Sequence, residues 1–260
     1  MKTRAALWAL IVLYAVARVL QVFSGVPPGL GVVALHVVPP LAFALLHGAA
    51  TYGTRGILAF TAICLVVGNV AENVGVATGL PFGRYYFTDV MGPKLLHVPV
   101  LLGLAYIGMG YVSWTLAQMI VGPKRRVLLP LTAAAVMTTW DLSLDAVWST
   151  ILHAWIWTGG GAWFGVPLTN FGGWLLTTYL IYQWFAFVAP QPRAFDGRTP
   201  VAFYAISALG NCLLLIPLRH MTVVADPAGR VWQVSGIAAA TIAVSLLMLG
   251  ICAAARVKSR

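Results

Sequence analysis

Asp141 and Asp145 stand four residues apart inside an apolar run, so a helix places both carboxyls on one face. Two carboxyls that close in a poorly solvated site do not both ionise readily. One keeps its proton at neutral pH while the other stays charged or hydrogen-bonded, and that division supplies a buried general acid. Asn69, Glu72 and Asn73 form a second polar face, spaced i, i+3 and i, i+4, on another apolar stretch. Asparagines there can hold a carboxyl in one rotamer or bind a water. Only six carboxylates occur in the 260 residues, and three of them sit in these two greasy segments. A carboxylate at mid-bilayer depth costs about 2.5–3.5 kcal/mol on insertion scales, which makes such residues rare and usually functional. Plainer readings exist for both groups. Asp141 and Asp145 would be inert at a solvated helix end anchored by Trp140 and Trp148. The asparagine face would be inert if it only joined helix to helix, worth under about 1 kcal/mol.

The elements that must position these residues follow from composition. Sixty per cent of the chain is hydrophobic and eight per cent charged, against roughly 25% charged in a soluble domain. Spanning-length apolar runs fall near 5–24, 30–50, 57–77, 95–121, 127–148, 172–189, 201–217 and 235–255. They are continuous rather than alternating, so strands are disfavoured. The expectation is an all-α, polytopic integral membrane protein of about eight transmembrane helices, a single domain over 1–260, in the cell membrane. The basic start, Lys2 and Arg4 before an apolar run, resembles a signal peptide without a small-x-small cleavage site and reads as a retained signal anchor. The net charge of +10 lies in short loops, with no basic helix or aromatic RNA-binding motif, which excludes a nucleic-acid partner.

Those basic loops orient the chain. With the N-terminus inside, the cytoplasmic side collects Lys2, Arg4, Arg55, Lys124, Arg125, Arg126, Arg193, Arg198, Arg256, Lys258 and Arg260. The other side collects Arg84, Lys94, Arg219 and Arg230. Eleven against four supports an even helix count with both termini inside. Glu72, Asp141 and Asp145 then share one depth near the outer face, with Arg18 and His36. The loops 78–94 and 158–170 open on that side, as expected of a pocket.

Those loops are unusual. The first is dense in turn formers and aromatics, with Arg84 beside Tyr85 and Tyr86, and reads as a structured lid. The second runs from Trp155 and Trp157 through three glycines to Asn170 without a charge. Its tryptophans suit an interfacial belt, while its irregular backbone suits a re-entrant piece lining a cavity. Pro39-Pro40 predicts a kink in the second helix. Cys64, Cys212 and Cys252 occur singly, and His36, His47, His97 and His153 make no ligand pattern, so no metal is expected.

At these residues the chain resembles the carotenoid biosynthesis membrane proteins that include the carotenoid 1,2-hydratases of bisanhydrobacterioruberin and γ-carotene type. The matching text is Glu72 with Gly75, then Thr78-Gly79-Leu80-Pro81-Phe82-Gly83-Arg84-Tyr85-Tyr86, Gly92-Pro93-Lys94-Leu95 and Val98-Pro99. It continues through Trp140-Asp141-Leu142, Leu144-Asp145, Trp155, Trp157, Phe164-Gly165-Val166-Pro167, Asn170 and Gly172-Gly173-Trp174. The resemblance covers about 68–184. It departs at Ala146, where the family pattern has Pro, and at Tyr106, where it has Trp.

The resemblance implies a cofactor-independent hydro-lyase that hydrates a terminal isoprenoid double bond of an acyclic carotenoid. Such a reaction needs a protonated carboxylic acid, aromatic faces that tolerate a tertiary carbocation, and one placed water. Asp141 or Asp145 would donate the proton. Glu72, with Asn69 and Asn73, would position the water and accept its proton. Trp140, Trp148, Trp155, Tyr85 and Tyr86 would line the cation site, and Asn170 or Arg84 would tune a carboxylate. The expected partners are the lipophilic carotenoid reached from the bilayer, water, membrane lipids and other carotenoid-pathway enzymes. A cyclase using the same protonation fits these residues equally. A proton-coupled transporter is a further class, although no inverted repeat accompanies the acids.

Overall fold

The computed structural model describes residues 2–193, 197–216 and 221–258. Among them seven α-helices follow in order: α1 (Lys2–Phe23), α2 (Leu30–Thr78), α3 (Val100–Val121), α4 (Leu128–Ala146), α5 (Leu168–Val188), α6 (Arg198–Leu209) and α7 (Val234–Lys258). Five helical stretches are long and apolar enough to cross a membrane: α1, α2, α3, α6 with its extension to Leu215, and α7. Helices α4 and α5 fall outside that group by composition, because they carry the acids, the amides and several hydroxyls. Pro217, Arg219 and Arg260, used above to place a helix end and to count charge, lie outside the described residues.

Helix α2 covers two of the expected runs and breaks between them. Gly53 has φ 72° and ψ 168°, a conformation open to glycine because it has no Cβ. The Arg193 backbone N–H donates to the Thr51 carbonyl at 2.8 Å and satisfies a group near the break. The kink expected at Pro39-Pro40 is not where α2 departs from helical dihedrals; among its residues that is Gly53. Pro40 instead packs against α3 at Gly108, where an added Cβ would lie 2.7 Å from the Pro40 Cβ. A small residue there lets the two helices approach closely.

The expectation of an all-α chain omits six short strands in the loops: β1 (Tyr85–Phe87), β2 (Lys94–Leu95), β3 (Val98–Pro99), β4 (Trp155–Trp157), β5 (Val223–Ala225) and β6 (Val231–Gln233). They form three antiparallel pairs, β1 with β4, β2 with β3 and β5 with β6. The β2–β3 hairpin takes up the start of the expected 95–121 helix, so α3 begins at Val100. The β1–β4 pair joins the two unusual loops directly, with Tyr85 opposite Trp157 and Phe87 opposite Trp155.

Candidate active site

Asp141 and Asp145 lie on α4 and are 4% and 1% exposed. Directly after Ala146 the chain widens into a π-helical turn, Val147–Ile151. Such turns recur at functional sites because the looser winding re-aims the chain. Within it the Ser149 hydroxyl donates to the Asp145 carbonyl at 2.8 Å, and β4 follows at Trp155. Trp155 and Trp157, two apart on a strand, both aim their indole N–H groups at Asp145 Oδ1, at 2.8 and 3.2 Å.

Asn170, in the first turn of α5, closes the pair. Its Nδ2 donates to Asp141 Oδ2 at 2.9 Å and to Asp145 Oδ2 at 2.6 Å. The loop leading to it depends on close backbone contact. An added Cβ at Gly161 would fall 1.9 Å from the Val166 carbonyl carbon. Trp163 and Val166 form a bridge, and the Trp163 indole donates to the Leu142 carbonyl of α4 at 2.9 Å. The loop is thereby pinned to the helix that bears both aspartates.

Glu72, also buried, is gripped by two phenols. Tyr85 donates to Oε2 at 2.5 Å and Tyr106 of α3 to Oε1 at 2.6 Å. Burial, and then the charge of Glu72, push the Tyr85 hydroxyl well above the usual tyrosine range, so it remains a donor. Asn69 and Asn73, expected beside this carboxyl, instead donate to the carbonyls of Leu65 and Asn69 along their own helix, at 2.9 and 2.8 Å. Asn73 also accepts the His97 backbone N–H at 3.1 Å and so ties α2 to the β2–β3 hairpin. Arg84 and Tyr86, expected at the site, are exposed, because β1 alternates and only Tyr85 and Phe87 turn inward.

Two adjoining spaces meet at these groups. The first, about 680 Å³, is walled mostly by apolar and aromatic side chains, with Asp141, Asp145, His36 and the phenols of Tyr14 and Tyr106 as its ionisable members. Trp140, Trp148, Trp155 and Trp174 line it, and Trp140 is fixed by donating to Ser207 at 2.7 Å. The second, about 290 Å³, is a chamber holding Glu72, Tyr85, Asp145, Trp157 and Asn170. Leu102, Asp145, Trp155 and Trp174 line both. Arg18 and His36, expected at the depth of the acids, belong to a neighbouring cluster in which both meet Gln21 Oε1, and only His36 reaches the pocket.

Tyr106, Trp157 and Trp174 were not singled out as site residues from the sequence. Trp157 was traceable, since a strand puts residues two apart on one face. Tyr106 stacks on Trp174 with ring centroids 4.7 Å apart, a pairing across helices that carries no local sequence signal.

The site combines an amide-bridged pair of aspartates, a phenol-bound glutamate and an aromatic, lipid-compatible cavity. Such a set can protonate an apolar substrate and hold a cation. No curated protein and no solved structure matches the chain. The model of a family described as carotenoid biosynthesis protein matches residues 30–234, which takes in the three acids and every side chain hydrogen-bonded to them and extends beyond the stretch recognised from motifs. With that match over most of its length, the chain belongs to the carotenoid biosynthesis protein family.

Proposed function

We propose that the protein is a cofactor-independent carotenoid hydratase of the cell membrane, a single multi-pass domain of eight spans with both termini cytoplasmic. It adds water across the terminal 1,2 double bond of an acyclic carotenoid end. The observation that carries this reading is Asn170, whose one amide nitrogen donates to both aspartates at the wall of an apolar pocket.

The hydrogen bonds divide the labour. Asp145 accepts from Trp155, Trp157 and Asn170, an arrangement suited to the anion. Asp141 accepts from Asn170 and faces apolar walls, an arrangement suited to the neutral acid. Asp141 gives its proton to C2, the π electrons of the double bond form the new C–H bond, and positive charge is left on tertiary C1. The faces of Trp148, Trp155 and Trp174 and the Asp145 carboxylate surround that charge. A water held beside Glu72 bonds to C1 through an oxygen lone pair, and Glu72 takes the proton it releases. Return of that proton to Asp141 restores the acid, so one water is consumed and nothing else. The carotenoid comes from the bilayer, with membrane lipids and other enzymes of the pathway as neighbours.

The test is expression in a host that accumulates lycopene or a related acyclic carotenoid, with products weighed by mass spectrometry. A product heavier by one water is expected. An isomer of unchanged mass would make the protein a cyclase, in which an internal double bond captures the cation. No change with several acyclic substrates would sink both readings.

A further inference from the structure

A third space lies on the far side of Trp157. It measures about 520 Å³ and is walled by Ser149, Thr150, His153 and Trp157 on one side and by the β5–β6 hairpin on the other. His153, Ala225 and Pro227 are exposed at its rim, so it opens to water. Ser149, Thr150, His153 and Asp226 give it more polar lining than the apolar pocket has, beside Ile156, Ala225 and Pro227. Burial pushes the Asp226 carboxyl up, but the Arg230 backbone N–H, the Trp232 indole and the Arg230 guanidinium outweigh it and hold the group below its ordinary value. Asp226 is thereby the anionic half of an ion pair with Arg230, 2.8 Å away, that holds the β5–β6 hairpin.

Trp157 is the residue common to the vestibule and to the chamber of Glu72 and Asp145. Its bond to Asp145, 3.2 Å, is longer than the 2.8 Å bond of Trp155 to the same oxygen. A shift of Trp157 therefore leaves Asp145 held by Trp155 and Asn170. Resting on the hydratase reading, we propose that this vestibule is the water-supply site of the enzyme, and that the Trp157 indole is the partition water passes to reach Glu72. An apolar pocket filled with carotenoid delivers no water. A permanently open channel would solvate the carboxyls and weaken every electrostatic interaction among them. A vestibule that opens to water at its rim and meets the chamber at Trp157 satisfies both demands.

The test uses the full chain in membranes, carrying Cys212→Ser to remove the exposed native thiol, Cys64 and Cys252 being buried. Ala225→Cys places a thiol at the vestibule rim, and Leu95→Cys places one on the exposed β2–β3 hairpin as a control. Each is labelled with methanethiosulfonates of increasing size. The expected result is a fall of roughly tenfold or more in hydrated product for Ala225→Cys with the bulkiest label, with carotenoid still bound by its visible absorbance, and no change for Leu95→Cys. The inference fails if fully labelled Ala225→Cys hydrates as fast as the unlabelled protein. It also fails if labelling abolishes carotenoid binding together with turnover, since the label then acts through the fold. Absence of hydrated product from the unlabelled parent would instead overturn the hydratase reading, and this inference with it.

Discussion

One amide, one pair of indoles and one pair of phenols decide what each carboxyl can do. Asp145 is surrounded by N–H donors, Glu72 by two O–H donors, and Asp141 by an apolar wall and a shared amide. General acid catalysis contributes about 10²–10⁴-fold, so Asp141→Asn should lower turnover by that order while folded protein remains in the membrane. Asp145→Asn should lower turnover as severely, because an amide N–H would face the donors of Trp155, Trp157 or Asn170. Product assays against the amount of folded protein check both. Full activity in both variants would move the acid to Glu72. Glu72→Gln separates the roles differently: protonation at Asp141 survives, water capture does not, and product should shift from the hydrated compound to isomers of unchanged mass.

The π-helical turn and the glycine loop bring β4 and Asn170 to the aspartates, and both depend on backbone fit. At Gly161 an added Cβ would meet backbone atoms of Val166 and Pro167 within about 2 Å, which no rotamer relieves, whereas at Gly159 it would meet nothing within 4 Å. Overpacking of this kind costs about 1–3 kcal/mol. Gly161→Ala should therefore lower the thermal unfolding midpoint in detergent and reduce turnover by displacing Asn170. Gly159→Ala should leave both near the parent values, and equal behaviour of the two variants would show that the loop does not set the site. The alternation of Tyr85, Tyr86 and Phe87 along β1 explains at this scale why Arg84 and Tyr86 leave the site although their neighbours belong to it.

The whole molecule carries its chemistry at one end, where β1–β4, β2–β3 and the β5–β6 hairpin gather between the helices. The bias of basic residues predicts that this end faces away from the cytoplasm. An impermeant thiol reagent applied to intact cells should label Leu95→Cys and not Arg125→Cys, both in the Cys212→Ser background. Labelling of Arg125→Cys alone would invert the orientation. Helix α3, the most enclosed of the candidate spans, anchors this arrangement through Gly108 against Pro40 and through Tyr106 on Glu72.

Composition and continuous apolar runs were enough to determine a helical membrane protein, because a lipid solvent forces backbone hydrogen bonds to close within each segment. The rarity and placement of Glu72, Asp141 and Asp145 were likewise legible, since a carboxyl in such a run is costly wherever the helix sits. What the sequence could not decide was who touches whom. The partners of these acids come from residues 10 to 34 positions away, from β4, α5, β1 and α3, and a side chain's reach across helices leaves no periodic trace. Asn69 and Asn73 illustrate the limit: they share a helix face with Glu72, yet the carbonyls of the preceding turn were nearer partners than the carboxyl. Only the packing of α2, α3, α4 and α5 turned three isolated acids into an Asp141 and an Asp145 bridged by one amide and a phenol-held Glu72.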